Sequence, residues 1–168
     1  MVEMTLDEIL AQLDAYSEKL KPADQRKWDV NSESFEDWEK DVDGLISKAI
    51  TKEEQQAFSA QILKTFKALD SADRMKLENA MQEKGHSVFR IPASSDPEEL
   101  FRNQLLAMCL FGDRDTRDVI MGVSSAVKWA REQDGVNVSK VINEVSEYAS
   151  PIDKYGMGSM RSIFLGHR

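Results

Sequence analysis

The chain has 168 residues, 30 acidic against 22 basic side chains, a formal net charge of −8, 41% hydrophobic residues and one cysteine. That length supports one domain with a core that needs no disulfide or structural metal, and the lone Cys109, inside LLAMCLF, excludes an intrachain disulfide framework and a multi-cysteine zinc site. The acidic start MVEMTLDEIL and a longest apolar run of seven residues, Leu105 to Phe111, argue against a secretory signal and a membrane span, so the composition fits a reducing, cytoplasmic setting.

Thr5 and Glu8 have the spacing of a capping box, and Leu6, Ile9, Leu10, Leu13, Tyr16 and Leu20 follow as the apolar stripe of a first helix. The polar segment KPADQRKWDVNS, from Lys21, predicts a loop with one short turn. A second helix is expected from near Ser34, with Phe35, Trp38, Val42, Leu45, Ile46 and Ala49 on one face and its acids on the other. Thr51 and Glu54 repeat the capping-box spacing and open a third helix, striped by Phe58, Ile62, Phe66 and Leu69. Asp70 or Ser71 caps a fourth, which buries Leu77, Ala80 and Met81 and stops at Gly85.

The stretch HSVFRIPASS reads as an extended connector with no sheet partner. Asp96, Pro97, Glu98 and Glu99 supply cap, proline and dipole-matched acids for a fifth helix running to Phe111; its second half is apolar all round and belongs at the centre of the bundle. Gly112 ends it, and Asp113 or Asp115 begins a sixth, faced by Val119, Ile120, Val123, Val127 and Ala130. The small residues Gly122, Ser124, Ser125 and Ala126 predict a closely approaching neighbour on that helix. Gly135 closes it, and Asn137 caps a seventh with Val138, Val141, Ile142, Val145 and Tyr148 as its stripe. The tail SPIDKYGMGSMRSIFLGHR predicts a glycine-rich turn and a short helix over Met160 to Leu165 that docks on the core.

These elements predict one compact all-α domain over 1–168 with seven or eight helices: an acidic part over 1–50, a helical core over 51–149 and a Gly/Met-rich segment over 150–168. Thr51, Ser94 and Asn137 recur at 43-residue spacing, which raises stacked, solenoid-like hairpins as one form of that bundle.

The charge is local. Residues 1–50 hold 13 acids and 6 bases, and within DVNSESFEDWEKDVD the acids Asp29, Glu33, Glu36, Asp37, Glu39, Asp41 and Asp43 face the single base Lys40. Like charges at helical spacing repel, so such a cluster suits a basic protein partner, in an inhibitor or immunity-type role, and disfavours nucleic acid and anionic lipid. Glu36, Asp37, Asp41 and Asp43 are expected to lie exposed together. Trp28, Phe35 and Trp38 could anchor the same partner, but aromatics at helical spacing favour a buried stripe, with Trp28 stapling the preceding loop.

Other chemistries fit poorly. An EF-hand register on Asp29, Asn31, Glu33 and Asp37 puts Ser34 where glycine is required and Lys40 where the bidentate glutamate belongs. Glu83 and His86 form a Glu-x-x-His broken by Gly85 and without a second copy, and Cys109 sits in an apolar run that makes it inert. YGMGSMRS lacks the strand and lysine of a phosphate loop. A helix-turn-helix using Arg114, Arg117, Lys128 and Arg131 is cancelled by Asp113, Asp115 and Asp118. No catalytic, cofactor or metal residue is therefore assigned. The competing readings are a scaffold with an apolar surface near Met157 and Met160, and an enzyme working through carboxylates alone.

Overall fold

A side chain placed to accept the first free amides of a helix fixes where that helix starts. In the computed structural model, which describes residues 3–111, 116–153 and 158–168, such caps mark most of the starts. Thr5, Ser34, Thr51, Asp70, Asn137 and Ser159 each accept a hydrogen bond from the amide three residues on, and Asp96 accepts from the amide of Glu98 at 3.0 Å. Each cap contributes about 1 kcal/mol. The helices are α1 (Leu6–Gln25), α2 (Phe35–Ala49), α3 (Lys52–Ala68), α4 (Ser71–Lys84), α5 (Pro97–Phe111), α6 (Thr116–Arg131), α7 (Val138–Ser146) and α8 (Met160–Gly166), and no strand forms among the described residues.

The all-α expectation holds, with α5 as the hub. It packs against α3, α4, α6 and α7, while α1 rests on α4 and carries α2 on its outer side, and α8 closes against α6 and α7. Phe101, Leu105, Leu106 and Leu110 of α5 are fully buried, as its all-round apolar second half requires. The rest of the core follows the stripes: Ile9, Leu13 and Leu20 from α1, Ile62 and Phe66 from α3, Leu77 and Met81 from α4, Val141, Ile142 and Val145 from α7, and Phe164 from α8. No helix of the described residues is long and apolar enough to cross a membrane.

Several local expectations are corrected. The segment from Lys21 is not a loop at once: α1 runs through Pro22 to Gln25. Proline costs that turn one amide bond, but Ala23, three residues after Leu20, extends the buried stripe and offsets it. The turn follows at Asp29, whose carbonyl accepts from the amides of Ser32 and Glu33. At α3 only half of the capping box forms, because the Glu54 carboxylate instead accepts the Tyr16 hydroxyl at 3.3 Å. α4 stops at Gly85, as expected, and the need for glycine there is steric. Its φ is −88°, ordinary right-handed backbone, but a Cβ there would meet the Met81 carbonyl oxygen at 2.8 Å and the Met81 Cα at 2.9 Å. The anticipated end of α5 at Gly112 and start of α6 at Asp113 or Asp115 lie outside the described residues, as do Arg114, Tyr155, Gly156 and Met157.

Candidate functional site

The N-terminal face is built by α2 and the loop before it. The largest departure from the sequence reading is here: α2 has no buried residue. Phe35 is 49% exposed and Trp28 44%, and Trp38, Val42, Leu45, Ile46 and Ala49 are half-buried. The expected inward aromatic stripe is instead a surface cluster. Phe35 sits between the two tryptophans, with ring centroids 5.4 Å from each, edge-on to Trp28 and tilted on Trp38. The reason is position: α2 is carried on α1 at the edge of the bundle, so no further layer covers its outer side.

The polar ends of the tryptophans hold the loop. The Trp28 indole donates to the Glu33 carbonyl at 3.1 Å, and the Trp38 indole to the Arg26 carbonyl at 2.9 Å. Trp28 thus does staple the loop while keeping part of its ring in water. Val30, 68% exposed, extends the apolar patch.

The acids divide into groups that the sequence window did not separate. Arg26, just outside that window, donates to both Glu33 carboxylate oxygens, from Nη1 at 2.7 Å and from Nη2, and reaches Asp41 from Nε at 2.8 Å. This fork is a strong carboxylate geometry. The guanidinium holds the Glu33 carboxyl below the usual carboxylate range, with the amide of Asp29 contributing a further hydrogen bond. Glu33 and Asp41 are therefore already partnered. Asp29 turns one oxygen back to the amide of Asn31 at 3.0 Å. The remaining four, Glu36, Asp37, Glu39 and Asp43, are exposed and pair with no base among the described residues. At 100° per residue, Glu36, Glu39 and Asp43 share one flank of α2 next to Phe35, whereas Asp37 and Asp41 lie on the other. All are exposed, as expected, but they form two flanks of an aromatic ridge and not one face.

Two further features were not legible in the sequence. One is an open groove of 1230 Å³ between α3, the connector after α4, α5 and α6. Its floor is Ala107, Met108 and Phe111 of α5; one wall is Val119, Gly122 and Trp129 of α6, and the other is Phe89 and Ile91 of the connector. The connector is held there by α3: the Gln55 amide donates to the Ser87 and Val88 carbonyls, Ser59 Oγ accepts from the Arg90 amide, and Gln56 accepts from that of Ala93. At Gly122 a Cβ would meet nothing nearer than the Met108 Cε of α5 at 3.5 Å, so no neighbouring backbone crowds that glycine. The other feature joins residues far apart in sequence. Ser124 Oγ lies 2.8 Å from His167 Nε2, whose Nδ1 lies 2.8 Å from the Ile163 carbonyl. With both ring nitrogens engaged, this contact fastens α8 to α6.

The remaining sequence candidates are located as follows. Cys109 is buried, and burial pushes its thiol up and out of reach of ordinary pH. Met160 is 4% exposed, so the apolar surface expected at that residue is core. His86 is exposed and stacks on Phe111 with centroids 4.8 Å apart. No set of three or more His, Cys, Asp or Glu side chains among the described residues could hold a metal ion, at the EF-hand register or elsewhere. Compared with known protein families, with curated proteins and with solved structures, the chain finds no match.

Proposed function

We propose that this protein acts by binding a basic protein partner through the aromatic ridge Trp28, Phe35 and Trp38 and the acids that flank it. The observation that carries this reading is the combination of two half-exposed, mutually packed aromatic side chains with the carboxylates of Glu36, Glu39 and Asp43, which pair with no base among the described residues. Large apolar rings left in water beside a charged rim match the anatomy of a protein-binding patch. The rings provide desolvated anchor area and faces on which lysine or arginine can stack, and the carboxylates steer and orient the cation. Arg26 has a different part: by tying Glu33 and Asp41 to the loop it holds Trp28 and Trp38 in position. An inhibitor or immunity-type role, covering a basic working surface, is the biological form this chemistry suits.

The test is affinity capture from the source cell at low and high salt with three baits: the native protein, Glu36→Lys/Glu39→Lys/Asp43→Lys and Phe35→Ser. A basic protein retained by the native bait at low salt, released by high salt and lost with both variants is the expected result. Equal retention by all three baits would sink the proposal.

A further inference from the structure

The groove between the connector and α6 also leaves apolar area uncovered. Its lining along α6 runs from Asp118 to Trp129, about 17 Å at 1.5 Å per residue. Its volume, 1230 Å³, exceeds the roughly 300–1,000 Å³ of clefts that enclose small ligands. A three-turn α-helix, about 16 Å long and about 10 Å across, occupies on the order of 1,300 Å³. The length fits a short helix laid along the groove and the volume is ample for its embedded part, with its apolar side on Met108, Phe111, Val119 and Trp129 and its outer side in water.

Charge then selects the kind of helix. On the connector side the rim carries two cations: among the described residues Lys52 has no ion pair or hydrogen bond, and the Arg90 guanidinium bonds only the Phe89 carbonyl, at 3.1 Å. The opposite rim carries Asp118. Among the described residues neither cation has a carboxylate partner, in a chain of net charge −8. We infer that the groove is a docking site for an amphipathic helix of a partner protein, seated with an acidic flank toward Lys52 and Arg90 and a neutral or basic flank toward Asp118. This site is separate from the aromatic ridge and takes the opposite charge.

The probe is a fluorescein-labelled, end-capped peptide of about 15 residues, with leucines at helical spacing and glutamates along one flank. A twin carries lysines in place of the glutamates. Fluorescence anisotropy with the full chain should give saturable binding of the glutamate peptide in the micromolar range and binding of the lysine twin weaker by about ten-fold or more. Gly122→Leu fills the groove at a position where a Cβ meets only the flexible end of Met108, and it should abolish binding without lowering the helical circular dichroism. Lys52→Glu/Arg90→Glu, both at exposed positions, should reverse the preference between the twins. Phe35→Ser should leave both affinities unchanged, which separates a failure here from a failure of the ridge.

The inference is overturned if neither peptide saturates, if the twins bind equally, or if Gly122→Leu binds like the native chain. Saturable binding of dodecanoate without peptide binding would put a small amphiphile in the groove and overturn it too. So would a dimer in light scattering that Gly122→Leu dissolves, since a second copy would then be the occupant.

Discussion

Truncating Phe35 separates a surface ridge from a core stripe, because the two arrangements differ in cost by several-fold. Phe66, 0% exposed, sits inside the bundle, and Phe66→Ala should cost about 3–5 kcal/mol through lost burial and the cavity left behind. Phe35 keeps 49% of its surface in water. A phenylalanine side chain offers about 200 Å², so roughly 100 Å² is withdrawn from solvent, an upper bound of about 2.5 kcal/mol at 25 cal/mol per Å². A compact unfolded chain already buries part of that area, and a vacancy at the surface fills with water, so Phe35→Ala should cost about 1–1.5 kcal/mol. For a chain of this size each kcal/mol lowers Tm by roughly 2–4 °C. Phe35→Ala should thus melt about 2–6 °C below the native protein, and Phe66→Ala about 6–20 °C below it. Urea and thermal unfolding followed by circular dichroism at the helix band measure both without relying on the neighbouring tryptophans. If Phe35→Ala is as damaging as Phe66→Ala, the ring belongs to the core and the ridge is not available to a partner.

Three further outcomes follow from the geometry. Gly85→Ala drives a Cβ to 2.8–2.9 Å from Met81 backbone atoms, and should destabilise by about 1–3 kcal/mol in urea unfolding, since backbone cannot step aside as a side chain can; a neutral result would refute the steric reading of that glycine. Acid should loosen the ridge. Glu33 titrates below its ordinary value of 4.5 because Arg26 bonds it, so the stabilisation is present above 4.5 and is lost as pH falls through the depressed value. Tryptophan emission should change with a midpoint below 4.5, and Arg26→Gln should move that midpoint upward; a native midpoint at or above 4.5 contradicts the assignment. Arg102, mostly buried between α5 and α7, donates to Glu98, Glu99 and Glu144. Arg102→Ala leaves three carboxylates without it and should cost about 2 kcal/mol, or roughly 5 °C in Tm, measured against Lys140→Ala, whose exposed pair with Glu98 should contribute little.

The helices were legible because their determinants are short-range. A cap and the amide it satisfies are three residues apart, and a stripe repeats within one turn, so Thr5, Ser34, Thr51 and Asn137 announce their helices without reference to the rest of the chain. The acids were legible for the same reason. Their pairing was not: Arg26 precedes the acidic window and reaches Glu33 and Asp41 only because the loop folds back on α2. Periodicity also could not separate α2 from α3. Both have an apolar stripe, but Phe58, Ile62 and Phe66 meet α5 and the core, whereas Phe35 sits on a helix at the rim.

What the amino-acid sequence determines by itself is therefore the local part of this protein: an all-α chain, its helix starts, the α5 segment that must lie at the centre, and the acidic stretch. Tertiary structure decides which apolar residues remain in water. A stripe defines a face, but burial depends on whether another helix covers it. The assembly of the bundle leaves such faces open at the ridge on α2 and at the groove between the connector and α6.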